Sequence, residues 1–352
     1  MTATAPGHAE VRVAEVPRVG GGRSRGGKGR RGDVNAVVPD AEFTSYYGRP
    51  IVKASPWEAD IPLYLFTGGL AAGSSLLAAG ADLTGRPALR RTGRVGALVA
   101  LLVSSVALIH DLGRPSRFFH MLRVVKVTSP MSVGTWLLAV YGPFAGLAGA
   151  AELRPLLPRR LRDGVLGRLL GASGRPAGLV AAVVAPTIAS YTAVLLSDTA
   201  TPTWHDAHRQ LPFVFVGSAS AAAAGLAMVG SPVTETGPAR RLAVGGALVE
   251  LAVEHRMEQS MGLTAEPLHL GHAGSLMRAS KVLTLAGLAG TVAVAGRSRT
   301  GAVASGLALM AGSACLRFGV FEAGQESARD PKYVVIPQRE RLAARRATNE
   351  KR

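Results

Sequence analysis

Cysteine is almost missing from this chain of 352 residues, in which Cys315 is the only one. A single thiol cannot close a disulfide within the chain. Nor can it hold an iron–sulfur cluster, which typically takes four cysteine ligands. Aromatic residues are scarce as well, at 5% of the sequence. The sequence therefore excludes a disulfide-stabilised scaffold and an iron–sulfur cluster held by this chain alone.

Histidine is missing from the middle of every long apolar segment. A haem group inside a membrane protein needs axial ligands at depth, commonly histidines. The histidines lie instead in the tails, in the loops or near the ends of apolar segments: His8, His110, His120, His205, His208, His255, His269 and His272. This distribution argues against a haem-bearing cytochrome b subunit, so we expect no haem.

Long apolar segments dominate what is present. Hydrophobic residues make up 48% of the chain, and its 43 glycines suit the close packing of membrane helices. A helix needs about 18 to 20 mostly apolar residues to cross the hydrocarbon layer. Eight segments approach or reach this length: 61–81, 95–112, 132–151, 179–197, 211–230, 242–262, 280–296 and 300–318. The sequence predicts an all-α polytopic membrane protein with eight transmembrane helices, which we expect in the cell (plasma) membrane.

The formal net charge is +17. The arginines lie mainly in the tails and in short loops between apolar segments, where basic side chains meet lipid headgroups. We therefore expect contact with membrane lipid and not with nucleic acid. Residues 1–55 form a basic Gly/Arg-rich tail that we expect to be disordered. Residues 321–352 form a polar C-terminal tail.

An internal repeat relates the two halves of the chain. The first and fifth segments align at an offset of 150 residues, as IPLYLFTGGLAAGSSLL from Ile61 and LPFVFVGSASAAAAGLA from Leu211. The second and sixth segments share GALV at the same offset. Because four helices separate the copies, both halves would cross the membrane in the same sense. The repeat predicts two parallel-related four-helix bundles, formed by residues 56–200 and 201–320.

The predicted topology also separates two chemically different faces. Eight spans place both termini on one side, together with the loops after the second, fourth and sixth segments. All the histidines belong to this side, whereas the loops of the other side contain arginine and no histidine. We call the two sides the histidine face and the basic face. The distribution predicts that the chemistry of the protein lies at the histidine face.

Three glutamates share one stripe of the sixth segment. Glu250, Glu254 and Glu258 are spaced four residues apart, so their side chains lie on one side of a helix. An ionisable group at membrane depth usually faces the bundle interior, a cavity or a partner. We predict that Glu250 and Glu254 belong to a proton path. Alternatively, Glu254 and Glu258 lie at the headgroups and pair with Arg256 or Arg278.

The second segment ends in a His-Asp pair, His110 and Asp111, before Gly113 and Pro115 stop the helix. A histidine held by a carboxylate exchanges protons well near neutral pH. The loop that follows is basic and contains Arg114, Arg117, Arg123 and Lys126. Arginines of this loop can pair with Asp111. The alternative interpretation is helix capping together with arginines that reach to the headgroups.

Two other segments bring hydroxyl groups to the histidine face. Tyr191 lies in the last turns of the fourth segment, and Tyr64 and Thr67 lie in the first turns of the first. These segments run in opposite directions, so the three side chains approach the same face. A tyrosine at a membrane interface also serves as an anchor, which is the alternative role.

Four motifs together resemble the NrfD/polysulfide reductase membrane-subunit family over roughly residues 55–340. They are LYLFTGGLAAGSSLLAAGADL from Leu63, HDLGRPSRFFHMLRVVKVTSPMSVGTWLL from His110, SYTAVLLSDTATPTW from Ser190 and FEAGQESARDPKYVVIPQR from Phe321. The second motif is the most specific of the four.

The resemblance implies a haem-free membrane subunit of an oxidoreductase complex with no redox cofactor of its own. Such a subunit exchanges electrons between a quinone, either menaquinone or ubiquinone, and a ferredoxin-like iron–sulfur partner, usually coupled to a molybdopterin catalytic subunit. The implied quinone pocket contains Tyr64, Thr67, His110, Asp111 and Tyr191. His110 and Tyr191 would bond the quinone carbonyls, and Asp111 would orient His110.

The implied docking surface is the basic loop with Arg114, Arg117, Arg123 and Lys126. Its charge would speed the encounter with an acidic iron–sulfur protein. A different class remains open, because parallel repeats and an intramembrane glutamate also suit a secondary transporter or a proton-conducting protein. A purely structural membrane anchor is a third class. The quinone hypothesis alone predicts that an iron–sulfur subunit purifies together with this chain.

Overall fold

The computed structural model describes residues 48–349. His8 and most of the predicted basic tail, residues 1–55, lie outside the described residues.

Long helices form almost the whole described chain, and residues 48–349 contain no β-strand. Eight of the helices overlap the eight predicted segments: α1 Asp60–Leu83, α2 Pro87–Asp111, α3 Pro130–Leu153, α4 Val165–Ser197, α5 Leu211–Gly230, α6 Gly237–Met261, α7 Gly271–Ala293 and α8 Arg299–Arg329. A further helix, α9 Lys332–Asn349, follows α8. Short helical turns occupy several of the loops. The all-helical prediction is confirmed for the described residues.

Helix boundaries follow from proline and glycine. Proline stands in the first helical positions of α2, α3, α5 and α6, where its missing N–H would have no helical acceptor. α2 ends at Asp111, and Gly113 then adopts a positive φ of 64°, which only glycine adopts without strain. The predicted stop after the His-Asp pair is therefore confirmed.

Among residues 48–349, six helices are long and apolar enough to cross a membrane, judged by length and composition. They are α1, α2, α3, α4, α5 and α8. α6 carries more charged residues, and α7 is less apolar, which sets these two helices apart from the six. A polytopic membrane protein is thus confirmed with six candidate spans, and eight spans stay a prediction.

The helices pack in the same order in each half. In the first half, α1 and α3 each contact both α2 and α4. In the second half, α5 and α7 each contact both α6 and α8. α1 and α5 meet where small side chains allow a close approach. A Cβ on Gly73 would lie 2.6 Å from the Cβ of Ala223, and one on Gly69 would lie 3.1 Å from that of Ala219. Each of these pairs is separated by the 150-residue repeat offset.

The segment before α1 is tied to the second half of the chain. The Trp57 and Trp204 rings stack with centroids 6.1 Å apart, and the Trp204 indole N–H donates to the Val320 carbonyl oxygen at 2.8 Å. The Gln325 amide donates to the carbonyl oxygens of Ser55 and Trp57 at 3.1 Å. These contacts fix Trp57 next to the start of α1, where it forms one wall of the candidate site.

Candidate functional site

Three of the predicted site residues line one small cavity. Tyr64 comes from α1, Asp111 from the end of α2 and Tyr191 from the last two turns of α4. The cavity measures about 40 Å³. The remaining walls are largely apolar: Trp57, Ile61, Leu108, Leu112, Met121, Met131, Gly134, Thr135, Leu138 and Leu195. The structure thus brings a carboxylate and two phenols together at one end of the helix bundle.

The phenol end of Tyr191 lies directly against the backbone of Gly134, near the start of α3. A Cβ at position 134 would overlap the Tyr191 ring and hydroxyl. Glycine at this position therefore makes the space that the ring occupies. The side chain of Tyr191 is 7% exposed, so neighbouring helices hold its ring in place.

Neither phenol hydroxyl has a hydrogen-bonding partner within residues 48–349, although Tyr64 is only 2% exposed. Buried hydroxyls are normally paired, because an unpaired one loses its bond to water without replacement. Both side chains border the cavity. The pair is therefore suited to a ligand or water that accepts hydrogen bonds.

His110 lies outside this cavity. Its side chain is 78% exposed, and its Nδ1 lies 2.7 Å from a carboxylate oxygen of Asp60, the first residue of α1. The resemblance implies that Asp111 orients His110, but the carboxylate that bonds His110 is that of Asp60. Consecutive residues of a helix point about 100° apart, which is why Asp111 faces the cavity while His110 faces Asp60. Within the described range no arginine of the following loop pairs with Asp111.

Thr67 also lies apart from the phenols. Its hydroxyl donates to the Leu63 carbonyl oxygen at 2.8 Å within α1, a common arrangement for threonine in helices. Its side chain borders a different, larger groove on the other side of α1. Tyr64, Asp111 and Tyr191 thus share one cavity, whereas Thr67 and His110 lie outside it.

The basic loop after α2 exposes its charges. Across the part of the chain that the structure describes, the side chains of its four basic residues have no ion-pair or hydrogen-bond partner: Arg114, Arg117, Arg123 and Lys126. The loop also exposes apolar side chains, namely Phe119, Val124, Val125 and Val127. A surface of this composition, next to the cavity, is suited to contact with another protein.

A second polar cluster lies between α6, α7 and α8. Glu250 is buried and accepts a hydrogen bond from the Thr284 hydroxyl at 3.0 Å. Lys281 lies between the other two glutamates, with its Nζ 3.6 Å from Glu254 and 2.8 Å from Glu258. These glutamates therefore pair with a lysine of α7, and not with Arg256 or Arg278.

The outer end of this cluster reaches a histidine. His269 Nε2 lies 3.9 Å from a carboxylate oxygen of Glu258. Polar and charged groups consequently extend from His269 at the histidine face to the buried Glu250.

The family model described as polysulphide reductase, NrfD, matches residues 51–239, more than half of the chain. The chain belongs to the NrfD polysulphide reductase family. The predicted resemblance is confirmed. No curated protein matches the chain.

Every residue that lines the small cavity of this NrfD family member lies within the matched range. The cluster of Glu250, Glu254 and Lys281 lies beyond residue 239, outside the match. The family match therefore covers the cavity and does not cover the glutamate cluster.

Two buried arginines of this NrfD chain were not singled out from its sequence. Arg317 of α8 is fully buried, donates from Nη2 to the Phe215 carbonyl oxygen at 2.8 Å and lies 3.7 Å above the Phe215 ring. Arg94 of α2 bonds Asp82 at 3.1 Å and Glu152 at 2.9 Å. Their charge within or next to an apolar segment was the signal in the sequence, because a charged residue in such a segment normally has a partner inside the protein.

Proposed function

We propose that this chain is the quinone-interacting subunit of an oxidoreductase complex in the cell membrane. It would exchange electrons between the quinone pool and an iron–sulfur partner, which would pass them to or from a molybdopterin-type catalytic subunit. The observation that carries the proposal is the cavity in which the unpaired phenols of Tyr64 and Tyr191 meet the Asp111 carboxylate. Family membership supports the same function.

The chemistry of the cavity suits a quinone. Reduction to a quinol takes two electrons and adds one proton to each carbonyl oxygen, and oxidation releases them. Phenol hydroxyls donate hydrogen bonds to carbonyl oxygens. In our proposal Tyr64 and Tyr191 bind and orient the ring, and Asp111 exchanges protons with it. The electrons go to or come from the iron–sulfur partner.

The proposal requires the cavity to widen. Ligand pockets typically measure roughly 300 to 1,000 Å³, much more than the 40 Å³ present here. Met121 and Met131 belong to the wall next to the basic loop, and methionine adapts to different packing because its side chain is flexible. We infer that Met121 and Met131 change side-chain conformation when a quinone ring binds.

An apolar groove of about 440 Å³ offers a route from the lipid. It lies between α2 and α3, and it shares Leu108, Thr135 and Leu138 with the cavity. The other lining residues include Leu102, which is exposed on the outer surface of α2. A quinone tail would lie in this groove while the ring occupies the cavity. Thr67 has no contact with the ring in this arrangement.

His110 serves in this proposal as a relay at the surface. Its side chain is exposed and bonds Asp60, and it precedes Asp111 in the chain, which supports this role. Histidine exchanges protons readily near neutral pH. We therefore propose that protons pass between water and Asp111 by way of His110.

The basic loop is the proposed docking surface for the iron–sulfur subunit. Its unpaired charges lie beside the cavity that would hold the quinone. Opposite charge on a partner would raise the association rate more than the affinity. The exposed Phe119 and the neighbouring valines would supply apolar contact area.

We further propose that α6 and α7 also cross the membrane, giving two parallel-related four-helix bundles. Their charges pair with each other inside the protein, as Lys281 does with Glu254 and Glu258, and this lowers the cost of carrying them into the membrane. The repeated packing order and the contact of Gly73 with Ala223 support the parallel relation.

Glu250 and Glu254 form the proposed proton path through the second half. The hydrogen bond from Thr284 and the ion pair with Lys281 connect them to the polar groups near His269. This cluster is also the observation that favours the alternative function, a proton-conducting or transporting membrane protein.

Purification of the tagged chain in a mild detergent tests the proposal. The quinone function predicts iron and acid-labile sulfide together with a second polypeptide, and an optical spectrum without a haem Soret band. A chain that stays intact and iron-free, without a partner, would contradict it. That result would favour the proton-conducting or transporting function, and Glu250→Gln would be the first variant to examine.

A further inference from the structure

A second groove runs along α2 on the side away from the cavity. α2 lines it from Ala88 to Val103, which corresponds to about 22 Å at 1.5 Å per residue. Its volume is about 750 Å³, and its walls are mostly apolar. Leu226 of α5 and Met310 of α8 form part of its opposite wall. The groove is long enough to hold one acyl chain within the leaflet on that side.

One end of this groove contains an arginine without a counter-ion. Arg91 is exposed and, among residues 48–349, makes no ion pair and no side-chain hydrogen bond. Its neighbour Arg90 differs, because it pairs with Glu152 at 2.8 Å and with Asp82 at 3.4 Å. The protein thus neutralises one of two adjacent arginines and leaves the other charged at the end of an apolar groove.

An unpaired arginine recurs at the equivalent position in the second half of the chain. α6 begins and ends 150 residues after α2, and Arg240 and Arg241 stand 150 residues after Arg90 and Arg91. Both arginines of the second pair line a recess of about 480 Å³ between α6 and α7. Arg241 is exposed and, like Arg91, has no side-chain partner in the described part of the chain. The two unpaired arginines therefore occupy equivalent positions of the repeat, whereas different helices form the walls of the two recesses.

We propose that these recesses are two binding sites for an anionic phospholipid, each marked by one of the two equivalent arginines. The phosphate group bonds Arg91 in one site and Arg241 in the other, since a guanidinium matches the geometry of phosphate oxygens. An acyl chain lies in the groove along α2, between α2 and the helices of the second half.

Charge selects this occupant among the molecules that suit an apolar groove. A quinone has no anionic group to pair with Arg91. A helix of a partner subunit would need an acidic residue at the level of Arg91 and a second one at Arg241. An anionic phospholipid supplies a phosphate whose charge no cation of the same headgroup neutralises, together with acyl chains. This inference goes beyond the quinone function, because neither arginine belongs to the cavity of Tyr191.

Native mass spectrometry of the full chain tests the inference. After detergent exchange the protein is titrated with phosphatidylglycerol or with phosphatidylcholine, which has no net charge. We expect two phosphatidylglycerol molecules to bind, and phosphatidylcholine to bind much more weakly. Equal binding of both lipids by the wild-type chain would overturn the proposal without any variant.

Two variants locate the sites. Arg91→Gln and Arg241→Gln should each weaken one of the two binding events about tenfold, the effect of losing a charge-assisted hydrogen bond. The double variant should lose both. Arg159→Gln is the matched control, because Arg159 is exposed in a loop of the basic face and lines neither recess. Unchanged binding by the double variant would overturn the proposal, as would a quinone or a partner helix found in the groove.

Discussion

The phenol end of Tyr191 in α4 lies against the backbone of Gly134 in α3, with no room for a Cβ between them. This contact fixes the hydroxyl of Tyr191 at the cavity that also contains Tyr64 and Asp111. The helix packing of the first half therefore determines where the candidate quinone-binding side chains lie.

A methyl group at position 134 should displace the Tyr191 ring. We expect Gly134→Ala to lower the free energy of unfolding by about 1 to 3 kcal/mol, the usual cost of overpacking a core. Quinol turnover should fall with it. Thermal unfolding in detergent and a turnover assay of the complex measure the two effects. Gly80→Ala is the control, because a Cβ at this glycine of α1 meets no atom within 4 Å and Gly80 lines neither the cavity nor the groove between α2 and α3. Equal effects of the two substitutions would contradict the proposed contact.

The two carboxylates near the histidine face should differ in importance. Asp111 lines the cavity, whereas Asp60 bonds the exposed His110. We expect Asp111→Asn to lower kcat at least about 100-fold, as the loss of an acid–base group does. Asp60→Asn should have a smaller effect, since water reaches His110 directly. Steady-state kinetics of both variants check this order, and a reversed order would place the proton exchange at Asp60 instead.

Removal of charge from the basic loop should slow docking of the iron–sulfur subunit. We expect replacement of Arg114, Arg117, Arg123 and Lys126 by glutamine to lower the association rate and its dependence on salt. Stopped-flow or surface binding kinetics at two ionic strengths measure both. The control replaces Arg159, Arg160 and Arg162, exposed or half-exposed residues of a loop on the basic face. An association rate that stays the same in the loop variant would exclude this docking surface.

Lys281 should stabilise the second half of the chain. Lys281→Met would leave Glu254, which is buried, without its cation 3.6 Å away. Breaking a fully buried pair costs about 3 to 5 kcal/mol, and we expect roughly 1 to 3 kcal/mol here because the lysine side chain is 36% exposed. Unfolding in detergent measures the change. The double variant Lys281→Met/Glu254→Gln should recover part of the loss, and no recovery would show that the pair does not govern stability.

The fold could be predicted from the sequence because its main signals are local. Apolar length predicted a part of each helix from α1 to α8, and Pro87 and Gly113 mark the two ends of α2. α4 and α7 begin earlier than the apolar segments, and α9 lies in the predicted polar tail. The convergence of Tyr64, Asp111 and Tyr191 followed from the direction in which each helix runs. Helix positions and ends depend on residues near each other in the chain, and the convergence of the three side chains needs only the order and direction of the helices.

The partners of individual charges could not be predicted in this way. His110 bonds Asp60, which is 50 residues away, and Arg94 bonds Glu152, which is 58 residues away. Such pairs depend on the rotation of each helix about its own axis, and a one-residue change rotates a side chain by about 100°. The same rotation separates Thr67 from the cavity.

Quinol turnover of the intact complex tests most directly whether the phenols of Tyr64 and Tyr191 bind the quinone. The assay compares Tyr191→Phe and Tyr64→Phe with Tyr141→Phe. Tyr141 is equally buried, but its hydroxyl bonds Ser75 at 2.8 Å, away from the cavity. We predict that the first two variants lose kcat/KM by at least about tenfold, the value of one hydrogen bond to the substrate, while Tyr141→Phe keeps the wild-type rate. Wild-type turnover in both cavity variants would contradict the account.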